Sequence, residues 1–393
     1  LSTKPATRLD TFGIGERILM RRLFALICFL SGACAVLHAQ DQLEVKFRSR
    51  ALLDVAVSGY GKEDVQGYYR LEDFRVGFKA VYGDFEMKTD IGLGGGKLAI
   101  KDMLLNYHFA HGVLALGNGY EPFSMDMLIS TADMRFHQSA ASVLAFTDSR
   151  KLGATYHFYS DNWYLAAGIY THNDINKIGE GQKNAFVSTS RAVWRKREAG
   201  HWLIHLGGAF SFRSKEAHAS EPPSGSRSSA GITSMFPASL LEAEVSDMGT
   251  EVKGLAELLC TAPRFMLQAE YFFDRMNRTG GRQAYRSHGG YVQGGFLLKG
   301  KGFAYDSMYG IPGRPLTPRA IELVARFNYT DMNDWRSGIT GGEEKDLSVG
   351  VNFYLNNYFG VKVNGSYVWV GRHCNAFYQK NFFLAQARLQ YIF

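Results

Sequence analysis

The chain has 393 residues, a formal net charge of +7, 14% aromatic residues, 43 glycines and only 9 prolines. A near-neutral mean hydropathy excludes a bundle of transmembrane helices. Of four cysteines, Cys28 and Cys34 lie in the N-terminal apolar run, and the remaining two, Cys260 and Cys374, are far apart in sequence and make neither a disulfide framework nor a zinc site.

The first feature in chain order is a leader. Met20-Arg21-Arg22 is a basic start, residues 23–36 are an apolar run, and Leu37-His38-Ala39 precedes Gln40. That order predicts a secretory signal peptide over 20–39, cut after Ala39. Residues 1–19 then read as non-native translation upstream of Met20, and 40–393 as one membrane domain. Removing 1–39 lowers the balance from +7 to about +4, so the placement of charge matters more than its sum.

After Gln40 apolar and polar residues alternate in segment after segment, the period of a strand with one greasy and one wet face. In 43–57, Val45, Phe47, Ala51, Leu53 and Val55 alternate with Glu44, Lys46, Arg48, Arg50 and Asp54. In 69–81, Phe74, Val76, Phe78 and Ala80 alternate with Asp73, Arg75 and Lys79. Similar strands are predicted at 84–92, 98–109, 113–117, 151–159, 162–172, 185–195 and 201–213. After a Ser-, Pro- and Glu-rich loop at 214–248, strands resume at 250–260, 264–273, 287–299, 320–330, 346–355, 358–371 and 381–393. The last, NFFLAQARLQYIF, sets Phe383, Ala385, Ala387, Leu389, Tyr391 and Phe393 against Gln386, Arg388 and Gln390.

About sixteen aromatic-rich strands behind an export signal predict an all-β fold, a transmembrane antiparallel β-barrel. Loop lengths agree with that topology. The expected periplasmic turns are short, and the expected outer loops (119–149, 174–183, 214–249, 274–286, 331–344, 372–380) are long. One periplasmic connection, 300–319, is out of pattern. The final strand should close the barrel against 43–57, placing Arg388 in the lumen near Arg48 and Arg50. Its ending on Phe393 resembles the last strand of bacterial outer-membrane β-barrels, which implies recognition by the barrel-assembly machinery.

A barrel of this size leaves a water-filled lumen, and inward-facing cations outnumber inward-facing anions. The candidate anion pathway consists of Arg135, Arg150 and Lys151 near the constriction, with Arg48, Arg50, Arg75, Lys79 and Arg388 on the wall. Guanidinium forks suit oxyanions and lysine adds a point charge. Asp126 and Asp133 are expected to tune this field or to pair with Arg135.

Several motifs, in order, resemble the phosphate-selective porin O and P family. They are Gly119-Tyr-Glu121-Pro122-Phe123-Ser124 with Asp133 and Phe136, Arg150-Lys-Leu152-Gly153, and Ser246-Asp247-Met-Gly249-Thr250. Gln268-Ala-Glu270-Tyr271, Gly290-Tyr-Val-Gln293, Glu322-Leu-Val-Ala-Arg326 and Val351-Asn-Phe-Tyr354-Leu355-Asn356 follow. The resemblance implies a trimeric porin with an inward-folded long third loop. It also implies a periplasmic turn folded inward, which would account for 300–319 with its Lys301, Arg314 and Arg319. Where the family has an acidic–basic pair after Phe136, this chain has His137-Gln138.

The leading expectation is therefore an outer-membrane porin of a Gram-negative bacterium, passing small solutes with a preference for phosphate or other oxyanions. A non-conducting barrel, acting as adhesin, antigen or assembly partner through its long loops, is the alternative. A barrel enzyme such as a phospholipase is a minor one, since His201 and His205 lie on an expected inward face without an accompanying Ser motif. Expected partners are outer-membrane lipid, the assembly machinery, small anions and two further copies of the chain. No nucleic acid, cofactor or metal is expected.

Overall fold

The computed structural model describes residues 42–59, 65–94, 97–177, 185–214, 225–229, 231, 233, 235, 236, 238–375 and 380–393. The leader at 20–39 and residues 1–19 lie outside them.

Among the described residues, twenty strands follow in chain order. They are β1 (Glu44–Gly59), β2 (Val65–Tyr82), β3 (Phe85–Gly94), β4 (Lys97–Phe109), β5 (Gly112–Gly119), β6 (Lys151–Tyr159) and β7 (Trp163–Thr171). Next come β8 (Phe186–Glu198), β9 (Trp202–Arg213), β10 (Gly225–Ser229), β11 (Leu241–Val245), β12 (Met248–Thr261), β13 (Phe265–Arg278) and β14 (Tyr285–Lys299). The last are β15 (Phe303–Asp306), β16 (Ile311–Pro315), β17 (Ala320–Asp334), β18 (Ile339–Tyr354), β19 (Phe359–Val370) and β20 (Phe382–Ile392). Sixteen of these form a closed antiparallel barrel; β10–β11 and β15–β16 are separate hairpins.

Closure joins β1 to β20, from Arg50 opposite Ile392 to Gly59 opposite Phe383. Ser49 and Phe393 extend the ladder by exchanging amide–carbonyl bonds of 2.9 and 2.8 Å. Lipid offers backbone groups no hydrogen-bond partner, so a sheet with a free edge could not stay there. The alternation sorts side chains as expected. Leu53, Val55, Val57, Phe383 and Leu389 face out, while Asp54, Ala56, Leu384 and Arg388 are buried inside.

One bulge adjusts this pattern. Leu52 pairs with Asp73 but Leu53 pairs with Leu71, so β2 carries one extra residue. The insertion lets Tyr69 and Leu71 share the outer face with Phe74 and Val76 despite the change of parity.

All sixteen expected strands are present, and several are longer. Because β13 runs to Arg278, β14 starts at Tyr285, β17 runs to Asp334 and β18 starts at Ile339, the expected loops 274–286 and 331–344 shrink to 279–284 and 335–338. The ladder bonds continue above the lipid, where the outer face turns polar and the alternation loses its apolar signal.

The lumen is not an open pipe, because three segments fold into it. The connection from β5 to β6, residues 120–150, carries two short helices, α1 (Met125–Leu128) and α2 (Ala141–Phe146). The segment expected to be a plain loop at 214–248 contains the β10–β11 hairpin. Its Leu241, Ala243 and Val245 join a buried cluster with Val143 and Phe146 of α2 and Phe272, Met276 and Met332 of the wall. The 300–319 connection also turns inward. Phe303 packs with Met125, Leu203, Leu259 and Tyr354, and Arg191 donates to the Tyr309 and Gly310 carbonyls at 2.8 Å each. Arg195 donates to the Ser307 carbonyl at 2.7 Å.

Candidate functional site

The 120–150 segment is tied to the far wall by a row of polar bonds. Ser124 caps α1 by accepting from the Met127 amide at 3.2 Å. The Glu270 carboxylate on β13 accepts from the Met125 amide at 2.7 Å, the Asp126 amide at 3.1 Å and the Ser124 hydroxyl at 3.1 Å. Asn352 on β18 donates to the Arg135 carbonyl at 3.0 Å. Lys362 on β19 donates to the carbonyls of Ala132, at 3.1 Å, and Met134. Arg326 on β17 donates to the Gln138 carbonyl at 2.9 Å. A charge-assisted bond is worth roughly twice a neutral one, so the Lys362 and Arg326 bonds are the stronger ties in this row.

His137-Gln138, the pair that departs from the resemblance, belongs to the same system. The His137 ring bonds Asn364 on β19, and the Gln138 amide donates to the Gly231 carbonyl of the hairpin segment at 2.8 Å. Burial, with the Arg388 charge adding to it, pushes the His137 ring down to about 4.

Space remains on the side of β1–β4. A cavity of about 440 Å³ runs between that wall and residues 127–134. Six cations line it: Arg48, Arg50, Arg75, Lys88, Arg150 and Arg314. Their carboxylate partners are shared. Asp73 takes Arg50 at 2.7 Å and Arg75 at 3.2 Å. Asp90 takes both forks of Arg48, at 2.9 and 2.8 Å, and stands 3.9 Å from Arg75. Asp102 takes Lys88 at 2.9 Å and Arg150 at 2.5 Å. Asp133 takes Arg314. Six cations on four carboxylates leave the cavity with an excess of positive charge.

Local backbone features make this possible. Arg50 and Arg75 are directly opposite on β1 and β2, and Asp73 lies two pairs further along, opposite Leu52 and just before the bulge. Like charges placed opposite repel, and Asp73 relieves the repulsion. Gly77 lies opposite Arg48 on one side and Asp90 on the other. A Cβ there would come 2.0 Å from Asp90 Oδ1, so only glycine lets Arg48 reach across β2. Arg150 lies over the Tyr120 ring, 4.2 Å from its centroid, and donates to its hydroxyl at 2.9 Å.

Arg48, Arg50, Arg75 and Arg150 are thus brought together as expected. Lys79 lies nearer the short-turn end, paired with Glu86 at 2.5 Å and outside the cavity lining. Three other expected ligands are committed elsewhere. Arg135 is buried on Glu322, 3.0 Å away, and donates to the Gly313 carbonyl at 3.2 Å. Lys151 is buried between Glu121 and Asp148, at 2.8 and 2.7 Å. Burial works against the charge of Glu121, but Lys151 and Lys253 hold its carboxyl below the usual range. Arg388 faces inward as expected. Both its forks close on Asp54 at 2.6 Å, and it reaches the Thr131 carbonyl at 3.4 Å. It therefore touches the segment that Arg50 touches through the Ser130 hydroxyl, at 2.6 Å.

The acidic expectations need correction as well. Neither Asp126 nor Asp133 pairs with Arg135. Asp133 binds Arg314 at the cavity, while Asp126 is buried behind the loop, accepting from Gln268 at 3.3 Å. Burial pushes the Asp126 carboxyl up, and the residue is not part of the cavity lining. His205 bridges Glu257 and the Tyr305 hydroxyl, at 3.0 and 2.9 Å. His201 sits in a short turn with φ of 70° rather than on the inward wall.

Two of the six cavity cations, Lys88 on β3 and Arg314 on the out-of-pattern connection, are not among the expected site residues. The alternation of β3 carries a signal for Lys88. No local signal exists for Arg314, whose partner is 181 residues away.

A closed sixteen-stranded barrel narrowed by an inward loop and lined by charge is the architecture of an outer-membrane porin channel. The sequence model of the family described as phosphate-selective porin O and P matches residues 39–393, and the chain belongs to that family, in the outer membrane of a Gram-negative bacterium. The fold is similar to that of OmpT of Vibrio cholerae, with 10% identity over 91% of this chain and 99% of that one and a TM-score of 0.58. It is also similar to an anion-selective porin from Comamonas acidovorans, with 9% identity, 90% and 100% coverage and a TM-score of 0.58. OmpF of Salmonella typhi, in a complex with daunomycin, matches with 12% identity, 90% and 100% coverage and a TM-score of 0.57. An uncharacterized protein of Caulobacter vibrioides is 24% identical over 73% of this chain, which spans 58% of that protein's length.

Proposed function

We propose that this porin prefers anions, with phosphate and other oxyanions as its favoured solutes. The observation that carries the reading is the sharing of four carboxylates among six cations along the cavity. Positive potential in a low-dielectric constriction concentrates anions and repels cations. Arg48, Arg50, Arg75 and Arg150 supply the fixed charge, with Lys88 and Arg314. Arg135, Lys151 and Arg388 act as struts that hold the constriction in shape. Asp133 tempers the field through Arg314.

The family's description as phosphate-selective and the anion selectivity ascribed to the Comamonas porin agree with this reading. Three inward segments filling much of the lumen favour the rival, a barrel that does not conduct. Reconstitution in a planar bilayer under a KCl gradient decides between them. A reversal potential displaced toward chloride is expected. Zero or cation-directed displacement removes the anion reading, and absence of conductance supports the rival.

The reading extends to a homotrimer, a form described for in-vitro folded OmpT of Vibrio cholerae. Mass measurement of the native complex in detergent tests it.

A further inference from the structure

We propose that the outer rim over β13 and β14 is a docking site for a phosphorylated lipid headgroup of the surrounding leaflet. Arg275 and Arg286 are directly opposite one another across these strands. Both are exposed and share the parity of the outward-facing Tyr271, Phe273 and Val292, so they point away from the lumen. Arg275 stands two residues beyond Phe273, roughly 7 Å along the strand, at the end of the barrel that carries the long loops. In an outer-membrane barrel that end is extracellular. The pair therefore lies just above the apolar band, at headgroup level.

Two opposed arginines repel, and the barrel shows elsewhere how it handles this. Between Arg50 and Arg75 it sets Asp73. Between Arg275 and Arg286 no carboxylate is set among the described residues. Arg275 Nε donates to the Asn277 side chain at 3.1 Å. The acid that lines the same cleft, Asp334, accepts from the backbone amides of Arg286 and Arg336, at 2.9 and 3.1 Å. Asp331, on the adjoining strand, accepts from Asn333 at 2.9 and 3.1 Å.

The surroundings add positive charge. Arg275, Arg278, Arg282, Arg286 and Arg336 line one cleft of about 290 Å³. Arg282 is paired with Asp247 at 3.0 Å, and Arg278 donates to the Ser246 and Ser337 carbonyls at 2.9 and 3.3 Å. Among the described residues the guanidiniums of Arg275, Arg286 and Arg336 form no ion pair, and the cleft's carboxylate, Asp334, is taken up by backbone amides. Guanidinium forks matched to phosphate oxygens, directly above lipid-facing aromatics, fit a bisphosphorylated glycolipid whose acyl chains lie along the barrel. Position on the lipid side, outside the channel, selects a lipid phosphate over a solute phosphate.

The test titrates the purified full-length porin in detergent with bisphosphorylated lipid A and with the same lipid A stripped of its phosphates. Native mass spectrometry counts the bound lipid. Wild type should retain the phosphorylated form at least about tenfold better. The double variant R275Q/R286Q should lose that margin, and R275K/R286K, which keeps charge but not the fork, should fall between. The glutamine variant should keep the wild-type reversal potential and unfold no more easily in lipid-free detergent, since it removes a repulsion. Equal retention of both lipids, or an unaltered margin in R275Q/R286Q, overturns the proposal. So does displacement of the lipid by millimolar inorganic phosphate, which would make the cleft a free-anion site. A change of oligomeric state in R275Q/R286Q without a change in lipid binding would make it a protein interface and also overturns it.

Discussion

Replacing Arg75 with Gln should weaken anion preference without disturbing the barrel. The choice follows from the shared carboxylates. Asp73 keeps Arg50 at 2.7 Å, and Asp90 keeps both forks of Arg48 at 2.9 and 2.8 Å, so no acid is stranded when Arg75 goes. The cavity simply loses one unit of charge. At 4 Å in bulk water two unit charges interact by about 1 kcal/mol, and by more where protein walls lower the dielectric. The lower figure alone is a factor of about five in anion occupancy. A passing cation is relieved of the same repulsion, so the two effects add in the permeability ratio. A fall of at least about fivefold in the anion-to-cation ratio is expected, read as reversal potential in bilayers under a KCl gradient. High salt should shrink the difference. An unchanged ratio in Arg75→Gln, with the protein folded by heat-modifiable gel mobility, would refute the assignment of Arg75 to the conducting field.

Other substitutions separate struts from field. Arg135→Met leaves Glu322 with its Tyr354 and Asn352 contacts, at 2.9 and 3.5 Å, but without its charge partner. A loss of about 3–5 kcal/mol in unfolding free energy is expected, with little change in ion preference; a large selectivity change at unaltered stability would place Arg135 in the channel. Asp133→Asn frees Arg314 and should raise anion preference, so a shift toward cations would contradict the pairing of these two residues. The docked loop holds the His137 ring at about 4, against an ordinary 6.5 when it is undocked. The undocked loop binds the extra proton first, so docking is fully stable above 6.5 and weakens as pH falls toward 4. Closures or current noise should therefore grow over that window in wild type and flatten in His137→Gln; identical profiles would clear His137.

The barrel was legible in the sequence because a lipid-facing strand must alternate. NFFLAQARLQYIF could be read as the closing strand before its partner was known, since Phe383, Leu389 and Arg388 differ in what solvates them. The out-of-pattern length of 300–319 also revealed an excursion, although not its destination. The β10–β11 hairpin was invisible for the opposite reason. Its strands have five residues each and meet no lipid, so no long alternation marks them. Within the site, Arg48, Arg50 and Arg75 could be placed by parity on adjoining strands. Arg135 and Lys151 looked equally suited as ligands, because a cation near a constriction shows its charge in the sequence but not its partner. Glu322 lies 187 residues from Arg135, and that distance in sequence is what hid the strut.

The anchoring of the 120–150 segment has a mechanical consequence. It crosses the lumen like a spoke, fastened at Glu270, Arg326, Asn352 and Lys362, while its free flank forms one lip of the passage along β1–β4. The bore is thus a clearance between a wall and a beam hung from the opposite wall. Any flattening of the barrel's cross-section, by a thinner bilayer or a crowded neighbour, changes that clearance directly. Residues on the far side, outside the cavity lining, thus set the width of that clearance.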